Sequence, residues 1–329
     1  MVTDVIARAR GCLIGLAVGD ALGSPTEGKT ISEIKNRWGR VTDFLSPDQT
    51  GTDDTEYALF SARLLLTHER ALTSEIVADA WKRSIISDTN RYKGAGFSEM
   101  LTIANLRAGL TPPMSGQHLH SWSDGLAMRV APYGIAGRGD PLLAATLAKI
   151  DGAVSHSAEG IFSGQAVAAA VAMAMTGAAV DELTEAALKV IPDDSWTSRA
   201  IKTGVAIANE SADVWTALEP LSQNLICRFY HWADIAPEAI SLAFGILTAA
   251  RGDFTKSVLG AINIGRDADT IAAIVGAITG ARSGIDAIPH QWSARITKAK
   301  GVCIKTVACM DIWHTADELG AMAMKWNKS

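Results

Sequence analysis

Apolar residues recur along this chain at helical spacing, three and four apart, far more often than they alternate. Over 5–18 the run is rich in Ala, Leu and Arg, with Thr3 or Asp4 placed to cap its start. After Thr55, the positions Ala58, Leu59, Ala62, Leu65 and Leu66 mark one apolar face. Further helices are predicted over 75–86, with Ser74 as a cap, and over 98–107, which Gly109 and the Pro112-Pro113 pair stop. The segment 161–176 is apolar on nearly every face and full of alanine, as a helix in the middle of a bundle is. The pattern adds helices over 184–191, 198–209, 237–251, 254–263 and 270–282, with Pro237 suited to a first turn. One segment, 302–307, alternates weakly, and it fits a helix equally well. The prediction is an all-α fold: a compact, single, multi-helix domain over 1–329 that brings distant segments to one cleft.

Composition narrows this picture. The 329 residues are 48% hydrophobic and 20% charged, which excludes a disordered or fibrous chain. At roughly 150 residues per domain the length suggests about two domains, but one large helical domain absorbs it. A net charge of −5 with no basic block excludes a general nucleic-acid binder and a polybasic membrane anchor. The longest apolar runs, 166–175 and 271–274, fall well short of the roughly 18 residues that span a bilayer. The N-terminus mimics a signal peptide only weakly, because Asp4 and Asp20 flank its apolar part. The four cysteines form no C-x-x-C pair. A soluble, cytoplasmic protein with reduced thiols is expected.

Four segments carry candidate chemistry. In the first, Gly11, Gly15, Gly19 and Gly23 lie four apart on one helical face and let another backbone approach. Asp20 sits among them, and Glu27 follows on a loop past Gly23-Ser24-Pro25. The plain reading makes Asp20 a partner of nearby backbone groups and Glu27 a solvated loop residue. The second segment, Gly51-Thr52-Asp53-Asp54-Thr55-Glu56, precedes a helix. Capping explains one acid there, but three acids and two threonines exceed what a cap needs. Side-by-side carboxylates repel unless a cation or proton intervenes, and hard divalent cations take carboxylate and hydroxyl oxygens.

The third segment, Gly265-Arg266-Asp267-Ala268-Asp269-Thr270, also opens an apolar helix. Asp267 and Asp269, two apart, converge only where the backbone is irregular. Together the two clusters supply four aspartates, enough for a two-metal oxygen site. The fourth segment runs from His120 through Ser121, Trp122, Ser123, Asp124 and Gly125 to Met128, Arg129, Pro132 and Gly134. Its small residues and tryptophan suit contacts with a flat ligand, or a structural loop with a core tryptophan. His156, just before the buried helix, has the same two readings. His118-x-His120 lacks a third metal ligand, and no G-x-S-x-G surrounds Ser195 or Ser198.

These motifs, in this order between about Gly11 and Ala281, resemble the ADP-ribosylglycohydrolase family. The resemblance implies an all-α fold with a central cleft holding two divalent cations, Mg²⁺ or Mn²⁺. It implies Thr52, Asp53, Asp54, Asp267, Asp269 and Thr270 as ligands, with Asp267 or Asp269 bridging. Glu27 matches a mobile glutamate near the metals. Ser121, Trp122 and Ser123 match a loop contacting ribose and phosphates, and His156 a histidine near the nucleotide. Gly94 and Gly96 suit a phosphate-binding turn.

The family's Gly-Asn-Gly is Ser123-Asp124-Gly125 here, which sets an acid where the family presents an amide. Either Asp124 turns away to structural partners and ADP-ribose binding is intact, or the pocket takes a smaller ribosylated compound. The otherwise intact motifs favour the first. The reaction implied is hydrolysis at the anomeric carbon of a ribose, on an ADP-ribosylated protein or a small ribosyl substrate. Glu27, Asp53, Asp54 and Asp269 are the candidate catalytic acids. Two rivals remain: a catalytically silent binding or structural homologue, and a metal-dependent phosphohydrolase.

Overall fold

The computed structural model of the chain describes residues 2–86 and 96–326. In the first half the helices are α1 (Val2–Gly23), α2 (Ile31–Trp38), α3 (Asp53–His68), α4 (Ser74–Trp81), α5 (Phe97–Arg107), α6 (Ala131–Ala136), α7 (Pro141–Gly152) and α8 (Glu159–Ala174). In the second half they are α9 (Val180–Lys189), α10 (Trp196–Asn209), α11 (Val214–Leu225), α12 (Ala236–Ala249), α13 (Phe254–Ile264), α14 (Ala268–Ser283), α15 (His290–Ser293) and α16 (Ile312–Trp326). Among the described residues there is no strand, only the isolated bridges Ser123–Ile235 and Lys298–Asp311. The fold is all-α and forms one compact domain around a single hydrophobic core.

The glycine stripe of α1 decides where its two most important neighbours meet. A Cβ on Gly11, Gly15 or Gly19 would lie 2.2, 2.3 or 2.1 Å from a carbonyl oxygen of α14. The fit is reciprocal, since a Cβ on Gly276 or Gly280 would strike the carbonyls of Gly15 or Gly11 at 2.2 and 1.9 Å. The two backbones therefore pack at a distance that only glycine permits. Helix α8, apolar all round, lies against α7, α9, α6, α12 and α14. The segment beyond 281 belongs to the same body: α16 packs on α1, and Arg10 pairs with Asp317 at 2.6 Å.

Local details depart from the sequence pattern. Helix α1 begins at Val2, so Asp4 lies in its first turn and pairs with Arg8 at 3.0 Å rather than capping. Thr73, not Ser74, caps α4 by accepting from the Ile76 N–H. Ser74 instead donates to the Ile150 carbonyl. That helix ends at Trp81 and continues as a π-helical turn, Lys82–Ile86. The weakly alternating 302–307 is no strand and contains a 3-10 turn, Lys305–Val307.

Candidate active site

Three chain segments converge at the end of the α1–α14 contact. Gly23 abuts Asp269, because a Cβ there would lie 2.5 Å from the Asp269 Cα. Gly265 and Arg266 then turn through positive φ, 75° and 59°. Arg266 N–H donates to the Lys29 carbonyl and Gly28 N–H to the Arg266 carbonyl, both at 2.8 Å. This zipper carries Glu27 to the N-terminus of α14. Asp267 has non-helical backbone (φ −81°, ψ 65°), so it and Asp269 point the same way despite their spacing. Carboxylate oxygens of Glu27, Asp267 and Asp269 lie within 4.8 Å of one another, as do those of Asp20, Asp54 and Asp269.

Asp20 is fully buried and anchors the start of α3. It accepts from the N–H groups of Thr52 and Thr55, at 2.7 and 3.0 Å, and from both hydroxyls. The plain reading of Asp20 as a backbone partner therefore describes it well, and it also belongs to the acid cluster. Those bonds use the Thr52 hydroxyl proton and leave a lone pair for a cation.

The acids line a cleft of about 230 Å³. Glu27, Asp53, Asp54, Asp124, Asp267 and Asp269 all reach it, joined by Glu99 and Asp234, which the sequence pattern did not single out. Ser123, Gly125, Gly96 and Thr270 also face it, and among the described residues no lysine, arginine or histidine does. Burial, then neighbouring carboxylates, hold Asp54, Asp267 and Asp269 well above the ordinary carboxylate range. Burial and Asp20 push Asp53 up to about 7. Glu27, at the exposed rim, is raised mainly by loss of solvent on its inner side. Asp54 Oδ1, Asp124 Oδ2, Glu99 Oε1 and Asp234 Oδ1 are buried with no hydrogen-bond partner. Clustered hard oxygen donors that repel one another and retain free lone pairs fit divalent cations.

A family model described as ADP-ribosylglycohydrolase matches residues 1–327. The chain belongs to this family. ADP-ribosylglycohydrolases are hydrolases acting on ADP-ribosyl linkages. An uncharacterized protein of Archaeoglobus fulgidus is 34% identical over 294 residues, covering 87% of this chain and 90% of its own. The ADP-ribosylhydrolase ARH3 of Bos taurus is 25% identical over 333 residues, covering 87% and 88%. A solved structure titled ADP-ribosylglycohydrolase-related protein complex shares the fold, with a TM-score of 0.69, 23% identity and coverage of 98% of this chain and 100% of that one.

Within this ADP-ribosylglycohydrolase the other expected site residues take different places. Asp124, expected to turn away, lines the cleft and shares a hydrogen bond with Asp267. Its neighbour Asp234 arrives because Asp124 N–H donates to the Asp234 carbonyl and Ser123 bridges Ile235. Such contacts, more than 100 residues apart in sequence, leave no local pattern. Gly96 and Gly125 have a structural role: a Cβ on either would strike the Glu99 carboxylate, at 2.8 and 2.4 Å. Gly94 lies outside the described residues.

His156 does not line the cleft. It stands fully buried behind Ser123, with Nε2 3.1 Å from the Ser123 hydroxyl and Nδ1 2.8 Å from that of Ser155. Burial and Arg129 drive its pKa well below the ordinary value, so it is neutral. Ser121 accepts from the Ser157 hydroxyl. Trp122 packs on His120 and Tyr230 in an aromatic cluster with Phe97 and Trp232. Ser195 caps α10, and His118 bonds the Ser155 carbonyl at 3.0 Å, so neither forms a separate site.

Arg129, quoted in the mid-chain motif without a role, organises the floor. It is wholly buried, donates to Asp151 at 3.1 Å, to Ser155 at 2.7 Å and to the Gly125 carbonyl at 2.8 Å, and stands 3.6 Å from Glu99. Glu56 is a second correction. It is the acid of the second segment that the family resemblance leaves without a role. Its place one helical step past the expected ligands suggests a surface residue, yet it is 1% exposed. Its carboxylate accepts from the N–H groups of Val302, Cys303 and Ile304 at 2.8, 2.8 and 2.7 Å.

Proposed function

We propose that this chain hydrolyses the bond between the anomeric carbon of an ADP-ribosyl group and its acceptor, releasing ADP-ribose. The observation that carries the reading is the convergence of two acid–hydroxyl clusters, more than 200 residues apart, around buried carboxylate oxygens that lack partners. Asp53, Asp54, Asp267 and Asp269, with Thr52 and Thr270, would hold two divalent cations, Mg²⁺ or Mn²⁺, and Asp20 would hold α3 in register beneath them. Bound there, such cations supply Lewis acidity that activates a water and orients the ribose diol.

The chain's own groups do the rest. The carboxylates stabilise the positive charge that develops on the ribose ring. Glu27 is the acid on the most exposed loop of the cluster, and loss of solvent on its inner side raises its carboxyl above the ordinary range, which suits a group that both takes and returns a proton. It takes the proton of the attacking water and returns one to the leaving group. Ser123, with its hydroxyl braced by Ser98 at 2.8 Å, Gly125 and Gly96 present the wall for the distal ribose and phosphates. Ser121, Trp122 and His156 support that wall from behind. The free cysteines and the lack of any described helix able to cross a membrane suit work in the cytoplasm on ADP-ribosylated protein.

A second reading has one observation in its favour. The cleft carries eight carboxyls and no described base, which suits a smaller, uncharged ribosyl compound better than a pyrophosphate. Incubation of ADP-ribosylated protein and of nucleosides with Mg²⁺ or Mn²⁺, read by product mass, separates the two. ADP-ribose release that EDTA abolishes supports the first reading. Free ribose alone supports the second, and full activity after chelation overturns the metal site.

A further inference from the structure

A second cavity adjoins the main cleft at the same acids. Its volume is about 360 Å³, and it shares Glu27, Asp53 and Asp269 with the main cleft. The two spaces therefore adjoin at these three carboxylates. The outer wall of the second cavity is different in kind, consisting of Val302, Cys303 and Lys300 from the segment before α16. Lys300 is the single basic side chain among the lining residues, and its ammonium donates to the Asp48 carbonyl at 3.3 Å.

This wall is fastened to the catalytic helix. Glu56 lies one turn after Asp53 on α3, and its buried carboxylate accepts three successive backbone N–H groups, those of 302–304. Charge-assisted bonds of this kind are about twice as strong as neutral ones. They fix the wall relative to Asp53, so Glu56 is a positioning residue for the cavity.

Resting on the hydrolase reading, we infer that the second cavity receives the acceptor, the part of the substrate that leaves. A glycosidic bond has two sides, and the main cleft, with Ser123 and Gly125, takes the ribosyl side. The acceptor then lies against Val302 and Cys303 with Lys300 at the rim. The Lys300 ammonium at the rim works against the guanidinium that the shared carboxylates attract, so an uncharged acceptor gains relative to a guanidinium. In the reaction the bond from the anomeric carbon to the acceptor heteroatom breaks, and the water oxygen takes its place on that carbon. The proton given up by the water ends on the departing acceptor.

Val302 is 59% exposed, so Val302→Trp fills the cavity without disturbing the core. It lowers kcat/KM for an ADP-ribosylserine peptide by about tenfold or more, while the Kd of ADP-ribose, titrated with Mg²⁺ present, stays within about twofold. Lys300→Glu raises kcat/KM for ADP-ribosylarginine relative to ADP-ribosylserine by about threefold or more. Glu56→Gln, which keeps one acceptor oxygen, raises KM for the peptide and leaves ADP-ribose affinity unchanged. Unaltered kcat/KM in Val302→Trp, or a parallel loss of ADP-ribose affinity, overturns the inference. A wild-type protein that releases ADP-ribose from neither linkage removes the hydrolase reading itself, and the inference with it.

Discussion

Two buried polar clusters lie on either side of the cleft floor, and they differ in one respect. Around Arg129, the carboxylates of Asp151 and Glu99 face a buried guanidinium, and Tyr133 and Ser61 donate to Asp151 at 2.8 Å. Around Asp54, equally buried carboxylates face one another, and several oxygens have no partner. Burying a charge is costly unless it is paired. The first cluster holds its acids against a cation of its own, with only Glu99 Oε1, 3.6 Å from Arg129, lacking a hydrogen bond, whereas the second has no such cation among the described residues that line it. The contrast tells a structural network from a ligand site, where burial or acid count alone does not.

The comparison breaks most severely at Arg129. Arg129→Met leaves Asp151 and Glu99 without their cation and should destabilise the protein by about 3–5 kcal/mol, measured by denaturant unfolding. A loss below about 1 kcal/mol would show that the network is not what holds the floor. Asp54→Ala is the counterpart in the open cluster. It should lower kcat/KM by about a hundredfold or more, equivalent to roughly 2.7 kcal/mol, and abolish calorimetric binding of Mn²⁺. The metal-free variant should melt no lower than wild type, because the lost carboxylate was repelled by its neighbours. A marked drop in its Tm would place Asp54 with the structural acids.

pH sharpens the same contrast. Asp53 is raised from the ordinary aspartate range to about 7, so between the two the folded state holds a proton that the unfolded state has released. Its contribution is fully present below the unfolded value and is lost as pH rises through about 7. The Tm of chelator-treated protein should therefore fall between pH 4 and pH 7, and saturating Mg²⁺ should flatten that slope. A slope unchanged by the cation would argue against binding at these acids. The smallest effect is expected at Asp124. Asp124→Asn removes one titratable acid from the cleft and lets an amide donate to Asp267 without a shared proton. It should tighten ADP-ribose binding by about tenfold, roughly 1.4 kcal/mol, more so at low salt. An unchanged titration would show that the ligand's phosphates lie away from this residue.

Much of the fold was legible because helix periodicity is local. The core helices α3, α8, α12 and α14 carry it in their own residues, and the four-residue spacing of glycines announced a close helix contact. Helices α2, α11 and α16 did not stand out, since their apolar faces are narrow and interrupted by charges. The acids of the site were legible as clusters at helix starts. What they face was not. Glu56 reads as an ordinary first-turn acid until the N–H groups 246–248 residues away arrive to meet it. Asp124, Asp234 and Glu99 likewise acquire their place from tertiary contacts alone, and so does the cavity beside Glu27.

The interlocked backbones of α1 and α14 also bear on how the protein is made. Helix α1 is synthesised well before α14, and the residues that cover its glycine face emerge only after residue 268. A ribosome adding about 5–20 residues per second leaves α1 waiting for tens of seconds. During that interval the chain carries Asp20, Asp53 and Asp54 but lacks Asp267 and Asp269. Assembly of the acid cluster is then a late event in the life of the polypeptide, and the glycine face of α1 stays uncovered until it.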